Sequence, residues 1–196
     1  MSHRTQELRP LRGYRHIVRE LRYHEASRQI LAVVLIALFS FLSAPSALSF
    51  YAGAPLIVVG AAWRLYASGF IMKNEQLATS GPYALVRHPL YTGNILIILG
   101  FSVCSGIWWT VAMALFFFWA YYPAAIEYED RKLRRLFGTQ WEEWSGSVPA
   151  LLPSLRNVHA VAGGSWSFLK SAKQNGEPVI FLFVLGCLGY VAWKLT

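Results

Sequence analysis

Residues 107–126 read IWWTVAMALFFFWAYYPAAI, a stretch of aromatic and aliphatic side chains without a charged residue. The hydrocarbon core of a bilayer is about 30 Å thick, and a helix needs about 20 apolar residues to cross it. This stretch therefore predicts a transmembrane helix. The composition of the 196-residue chain agrees, because 55% of it is hydrophobic and 14% is charged, whereas a soluble domain has about 25% charged residues.

Four further apolar segments predict four more helices, at 30–50, 54–72, 90–103 and 179–193. A soluble protein with a large core is the alternative, but such cores rarely produce several apolar runs near 20 residues. Only Cys104, Ser105 and Gly106 separate the third segment from the stretch 107–126, so these two are expected to form a tight helical hairpin. The predicted fold is an all-α polytopic membrane bundle of about five spans.

Basic residues predict how this bundle is threaded. Residues 1–28 contain seven arginines, and the loops 73–88 and 127–177 also carry basic side chains, whereas 43–54 and 104–106 carry no charge. Because basic loops favour the cytosolic side, we expect a cytosolic N-terminus and a C-terminus on the opposite side. This places the protein in the inner membrane of a bacterium or the endoplasmic reticulum of a eukaryote. The net charge of +8 is then explained by topology and anionic lipids, without a nucleic-acid partner.

The chain divides into four predicted regions: a basic arm, 1–28, forming a helix on the membrane surface; a four-span core, 29–126; a cytosolic region, 127–177; and the fifth span, 178–196. We expect the arm to precede a retained anchor and not a cleaved signal peptide. Within the cytosolic region, Gly138 is expected to end a helix, and Thr139 with Glu142 fits a capping box for the next. An interfacial helix is expected at 166–173. Two isolated cysteines, Cys104 and Cys187, support neither a metal site nor a disulfide.

The most informative polar segment is LATSGPYALVRHPLYTGN, residues 77–94. Pro89 disfavours helical conformation at His88 and suits the first turn of the third span. His88 is therefore expected at a helix N-terminus, where backbone N–H groups lack partners. Gly93 and Gly100 lie seven residues apart, which would let another helix approach closely. By itself, an Arg-His-Pro sequence also suits an ordinary helix start at the membrane surface.

A second polar cluster, Glu127, Glu129 and Asp130, follows the fourth span. The predicted hairpin would bring both polar clusters to the same end of the bundle. Acidic side chains there would suit a cationic, water-soluble ligand with hydrogen-bond donors.

Together these motifs resemble the isoprenylcysteine carboxyl methyltransferase and phospholipid methyltransferase superfamily of integral membrane enzymes. The resemblance covers roughly residues 77–153. The matching positions are Thr79-Ser80-Gly81-Pro82-Tyr83, Arg87-His88-Pro89, Tyr91, Gly93, Glu129-Asp130, Leu133, Phe137-Gly138, Trp141, Trp144, Val148-Pro149 and Pro153.

The resemblance implies an S-adenosylmethionine site at the cytosolic end of the hairpin. Glu129 matches a carboxylate that holds the cofactor, and Asp130 stands where the family usually has a second Glu. The other positions that the resemblance assigns to the cofactor are Gln76, Leu77, Ala78, Tyr83, His88, Pro89, Leu90 and Tyr91. The isoprenylcysteine enzymes have an Arg one turn before the cofactor Glu, but this chain has Ala125 there, which argues against a prenylcysteine carboxylate acceptor.

Arg64 is the residue predicted to be catalytic. It lies in the middle of the second span, where a charge costs a few kcal/mol, and shares a helical face with Gly60 and Ser68. We expect it to point into the bundle and to orient the polar head of the acceptor, or to pair with Glu127. A structural ion pair, or snorkelling toward Lys73, is the alternative.

The sequence thus predicts an S-adenosylmethionine-dependent methyltransferase with a lipid-like or small apolar acceptor, possibly a carboxylate. An ionised carboxylate needs no general base, whereas an amine must first lose a proton. A phospholipid N-methyltransferase is the alternative within the same chemistry. A membrane sterol reductase using NADPH, or a non-catalytic scaffold or transporter, are the alternatives outside it. Membrane lipids are expected partners, and the oligomeric state is left open.

Overall fold

The computed structural model describes residue 5, residues 8–71 and residues 75–196, apart from the side chains of 173–175. Helices make up most of the described chain, which contains no strand, and this confirms the predicted all-α bundle. Its helices are α1 (Tyr14–Tyr23), α2 (Glu25–Leu42), α3 (Ala47–Ser68), α4 (Pro89–Cys104), α5 (Trp108–Phe137), α6 (Thr139–Ser147), α7 (Phe168–Asn175) and α8 (Glu177–Trp193), with 3-10 helices at Gly81–Ala84 and Leu155–Ala162.

Five of these helices correspond to the five predicted spans. Three, α2, α3 and α5, are long and apolar enough to cross a membrane, and α4 and α8 are shorter apolar helices. The protein is therefore an integral membrane protein. Helix α3 ends at Ser68, before the predicted end at Met72, which lies with Lys73 outside the described residues.

The first turn between spans is tighter than predicted. The chain turns within 43–46 and not across 43–54, because Ser46 caps α3 through a reciprocal side-chain and backbone pairing with Ser49. This capping box satisfies N–H groups at the helix start and fixes the first residue of α3 at Ala47. At the other end of the chain, Lys194 Nζ donates to the carbonyl of Phe41 at 2.9 Å, which ties the end of α8 to this turn.

Helices α3 and α4 pack backbone against backbone at two pairs of glycines. A Cβ atom on Gly60 would lie 2.8 Å from the carbonyl oxygen of Gly93, and one on Gly100 would lie 2.9 Å from that of Gly53. Small residues permit such close helix contacts in membrane proteins. The expectation of a close approach at Gly93 and Gly100 is confirmed, with α3 as the partner helix.

The predicted hairpin of the third and fourth spans is confirmed in α4 and α5. Gly106 has a φ of 70°, and the hydroxyls of Ser105 and Thr110 lie 2.9 Å apart across the turn. Helix α5 then continues through 30 residues without a break, from the apolar segment into the charged one. It ends at Gly138, which has a positive φ of 51°. This continuity carries the acidic residues of α5 to the start of α4.

The predicted capping box at Thr139 is wrong. Gly138 is the N-cap of α6, with no side-chain cap. Glu142 reaches Arg134 instead, whose Nε lies 2.8 Å from Glu142 Oε1. A charged partner on the preceding helix thus holds the Glu142 carboxylate away from the helix start.

Two amphipathic helices lie against the bundle. Helix α1 leaves Tyr14, Ile17 and Leu21 exposed, while Arg22 Nε donates to the carbonyl of Ala120 on α5 at 2.6 Å. An exposed apolar face beside basic residues is typical of a helix at a membrane surface. Helix α7 forms where the interfacial helix 166–173 was predicted.

Candidate functional site

The start of α4 is held in place by a neighbouring loop. His88 is the N-cap, with φ −120° and ψ 64°, and Pro89 occupies the first turn, as predicted. The N–H of Arg87 donates to the carbonyl of Pro149 at 2.8 Å, and that of His88 donates to Ala150 at 3.1 Å. These bonds fix the His88 backbone outside the helix, so its side chain points toward α5.

The His88 imidazole lies between two carboxylates of α5. Its Nε2 lies 3.0 Å from Asp130 Oδ1, and its Nδ1 lies 3.3 Å from Glu129 Oε2. Burial by itself lowers the pKa of His88, but the hydrogen bonds and charges of Asp130 and Glu129 outweigh burial and raise that pKa above its usual value. Both ring nitrogens therefore face acceptors, an arrangement that only the protonated imidazole can satisfy.

Tyr91 completes the group. Its hydroxyl donates to Glu129 Oε1 at 2.7 Å, and its ring stacks on His88 with centroids 5.4 Å apart and planes 16° apart. The ring of Tyr122 lies next to that of Tyr91, with the two centroids 5.3 Å apart. His88, Tyr91, Glu129 and Asp130 are called the acidic cluster below. The structure thus brings together four of the residues predicted for the cofactor site.

The acidic cluster suits a cationic ligand. The side chain of Glu129 keeps 41% of its surface exposed, so its carboxylate can accept hydrogen bonds beyond those from His88 and Tyr91. Asp130 is also held by Arg87, whose Nη1 lies 3.2 Å from Asp130 Oδ2. These carboxylate acceptors fit the amino and hydroxyl groups of S-adenosylmethionine.

The other predicted cofactor residues precede α4 or begin it. Tyr83 is buried in the first 3-10 helix; burial, and then the charges of Glu129 and Glu177, raise its pKa, which keeps the phenol neutral. Pro89 is buried and Leu90 is half-buried.

Three more predicted cofactor residues lie in the stretch before the turn. Leu77 is buried, Ala78 is half-buried and Gln76 is exposed. Among the side-chain hydrogen bonds of the described residues, none joins Gln76 to the acidic cluster. The cofactor-lining role of these three residues stays a prediction.

Arg64 points into the bundle as predicted, but its partner is Glu177 and not Glu127. Arg64 Nη2 lies 2.5 Å from Glu177 Oε1, and Nε donates to Oε2 at 3.2 Å. Its Nη1 donates to Asn94 Oδ1 at 2.7 Å and to the carbonyl of Leu90 at 3.2 Å. Glu177 is the first residue of α8, which packs on α3. Glu127 forms an ion pair with Arg131 instead, with its Oε1 2.9 Å from Arg131 Nε. A role of Arg64 in catalysis stays a prediction.

Sequence reasoning missed a second inward-pointing arginine. Arg28 lies in the first turn of α2 with 7% of its surface exposed, and its Cζ lies 4.8 Å from the centroid of the Tyr91 ring. Its spacing from Leu35 and Phe39, seven and eleven residues on, places it on the buried face of α2. That periodicity was the available signal, but residue 28 had been assigned to the basic arm.

Comparison with known proteins finds one family and several relatives. A model of the phospholipid methyltransferase family matches residues 27–140. The cobalt-zinc-cadmium resistance protein CzcN of Cupriavidus metallidurans is 42% identical over 104 residues, which are 53% of this chain and 47% of that protein. The nickel-cobalt-cadmium resistance protein NccN of Alcaligenes xylosoxydans xylosoxydans is 34% identical over 137 residues, 65% of this chain and 63% of that protein.

A third relative is named for methyl transfer. Protein-S-isoprenylcysteine O-methyltransferase B of Arabidopsis thaliana is 32% identical over 83 residues, 41% of each chain. The matches to CzcN and to this methyltransferase span less than half of each relative. No solved structure matches the chain. Because the family model covers more than half of its residues and includes the whole acidic cluster, the protein belongs to the phospholipid methyltransferase family.

Proposed function

We propose that the protein is an S-adenosylmethionine-dependent membrane methyltransferase that acts on a lipid-like acceptor. The observation that carries this proposal is the acidic cluster. Its four side chains come from the start of α4 and the C-terminal half of α5, and they contact one another inside the segment that matches the family, residues 27–140. They lie where an apolar bundle meets a polar surface, so a water-soluble cofactor and a membrane-dissolved acceptor can both reach them.

The chain's own residues would bind and orient the cofactor. Glu129 would accept hydrogen bonds from amino or hydroxyl groups, while His88 and Tyr91 hold its carboxylate in place. Arg87 orients Asp130 in the same way. Gln76, Leu77, Ala78, Tyr83, Pro89 and Leu90 are proposed to line the remainder of the site. The cofactor supplies a methyl group activated by a positively charged sulfur.

Methyl transfer places strict demands on such a site. The acceptor atom forms a bond to the methyl carbon as the sulfur–carbon bond breaks, and the electron pair of that bond stays on sulfur. The reacting atoms must be held about 3 Å apart and in line. A carboxylate acceptor is already ionised at neutral pH, whereas an amine must first release a proton to solvent. The family description favours a phospholipid acceptor, and the isoprenylcysteine relatives favour a carboxylate.

Calorimetry on the detergent-solubilised chain tests the proposal. We expect S-adenosylhomocysteine, the product cofactor, to bind, and NADPH not to bind. Binding of NADPH without S-adenosylhomocysteine would overturn the proposal in favour of a reductase.

A role in metal resistance is the second candidate, because the relatives CzcN and NccN are named for it, although no group of three or more His, Cys, Asp or Glu side chains among the described residues could hold a metal ion. The same titration with Zn²⁺ and Co²⁺ tests it, and saturable metal binding that blocks S-adenosylhomocysteine would favour this candidate.

A further inference from the structure

Arg28 is a buried cation whose hydrogen-bond donors are unused. Its residue surface is 7% exposed, and its guanidinium lies over the ring of Tyr91. Among the residues that the structure describes, it forms no ion pair and its side chain donates no hydrogen bond. A guanidinium carries five N–H donors, so this side chain is left with a large unmet demand for acceptors.

A cation in such a place gains stability from an anionic partner. Removing a charged group from water costs free energy unless partners replace the water. The face of Tyr91 replaces part of it through a cation–π contact. An aromatic face satisfies no N–H donor, however, so an anionic group would complete the coordination.

The guanidinium nitrogens are also open to a ligand. The unpaired polar atoms that are fully enclosed among the described side chains include Tyr122 Oη and Arg87 Nε, but no atom of Arg28. Arg28 is thus enclosed as a residue while its nitrogens keep accessible surface. The guanidinium is therefore accessible beside the ring of Tyr91.

Tyr91 connects the Arg28 guanidinium with the proposed cofactor site. Its ring contacts the Arg28 guanidinium, and its hydroxyl donates to Glu129 at 2.7 Å. One aromatic side chain therefore separates the Arg28 cation from the Glu129 carboxylate that would hold the cofactor, and the two charges attract each other at longer range than an ion pair. A group bound at Arg28 would lie next to the place where methyl transfer occurs.

We propose that Arg28 binds the oxyanion of the methyl acceptor. This inference rests on the proposed methyltransferase function and adds the chemistry of its second substrate: an apolar molecule that carries an oxyanion. The oxyanion is the carboxylate of a lipid-like acid or the phosphate of a phospholipid. Both match the planar, two-pronged donor geometry of a guanidinium. Arg28 positions the acceptor and takes no part in bond making.

Two matched pairs of lipids test this assignment on the full chain in detergent. Palmitate is compared with 1-hexadecanol, and phosphatidylethanolamine with diacylglycerol, by native mass spectrometry. The wild type should prefer the oxyanion over its neutral match in at least one pair. Arg28→Gln should lose that preference by about 10- to 150-fold, the usual effect of one charged hydrogen bond. The pair in which the preference occurs identifies the source of the oxyanion.

Arg22→Gln is the matched control, because Arg22 lies on the neighbouring helix but already donates to the carbonyl of Ala120. It should keep the preference. S-adenosylhomocysteine should bind wild type and Arg28→Gln equally well. The inference is overturned if the wild type shows no preference in either pair, or if the preference survives in Arg28→Gln. A wild type that does not bind S-adenosylhomocysteine would instead contradict the proposed function.

Discussion

Two buried arginines in this bundle differ in what surrounds them. Arg64 on α3 pairs with both oxygens of Glu177 and donates to Asn94 and to a backbone carbonyl. Arg28 on α2 contacts the face of Tyr91 and, within the described residues, has no hydrogen-bond acceptor. The two are almost equally buried, with 8% and 7% exposed. Burial alone therefore does not reveal a role: a guanidinium with its partners in place joins helices, whereas one without them is available to a ligand.

The largest predicted effect comes from removing Arg64 from its ion pair with Glu177. Arg64→Met leaves the Glu177 carboxylate buried without a countercharge, which costs about 3–5 kcal/mol. We expect a steep fall in the thermal midpoint in detergent. Arg28→Met should cause no such fall. Equal destabilisation by the two substitutions would remove the distinction between the sites.

A double variant separates the structural role of Arg64 from its predicted catalytic role. Arg64→Met with Glu177→Met removes both charges and should recover most of the lost stability, because buried ion pairs are often replaceable by apolar side chains. Methyl transfer from radiolabelled S-adenosylmethionine into membrane lipids is then measured. Normal transfer by the stable double variant would make Arg64 structural, and loss of transfer would support its catalytic role.

A smaller effect is expected at the helix contact that supports Arg64. A Cβ on Gly93 would overlap the Arg64 side chain and lie 2.9 Å from the carbonyl oxygen of Gly60. Gly93→Ala should therefore destabilise the protein by about 1–3 kcal/mol, as overpacked cores do. Gly186→Ala is the control, because a Cβ there meets no atom within 4 Å. If Gly93→Ala is no less stable than Gly186→Ala, then α3 and α4 accommodate the added methyl group without cost.

The smallest predicted effect concerns pH and the region next to Arg28. The pKa of His88 is raised in the folded protein. The pairing of protonated His88 with Glu129 and Asp130 therefore contributes its full stabilisation below a pH of about 6.5, the pKa of an ordinary histidine. This stabilisation is lost as pH rises through the raised pKa of the folded protein. The thermal midpoint of the wild type should fall over that range relative to His88→Gln. Parallel pH profiles of the two proteins would contradict the assignment.

Local sequence predicted the helices and the acidic cluster well, because each depends on nearby residues. Pro89 determines where α4 begins, and the short turn after Cys104 brings the end of α5 back to it. Long-range pairing was less predictable. Glu177 lies 113 residues from Arg64, and nothing local distinguishes it from Glu127 as a partner. The first turn was misplaced because its position depends on a reciprocal cap between Ser46 and Ser49.

Glu129 provides the most direct measurement of the proposed cofactor site. Calorimetry with S-adenosylhomocysteine is performed on the wild type, Glu129→Gln and the control Glu142→Gln, whose carboxylate pairs with Arg134 away from the cluster. The loss of one charged hydrogen bond costs about 1.5–3 kcal/mol. We predict that Glu129→Gln weakens binding by this amount while Glu142→Gln binds like the wild type. Unchanged affinity in a folded Glu129→Gln variant would contradict a cofactor site at the acidic cluster.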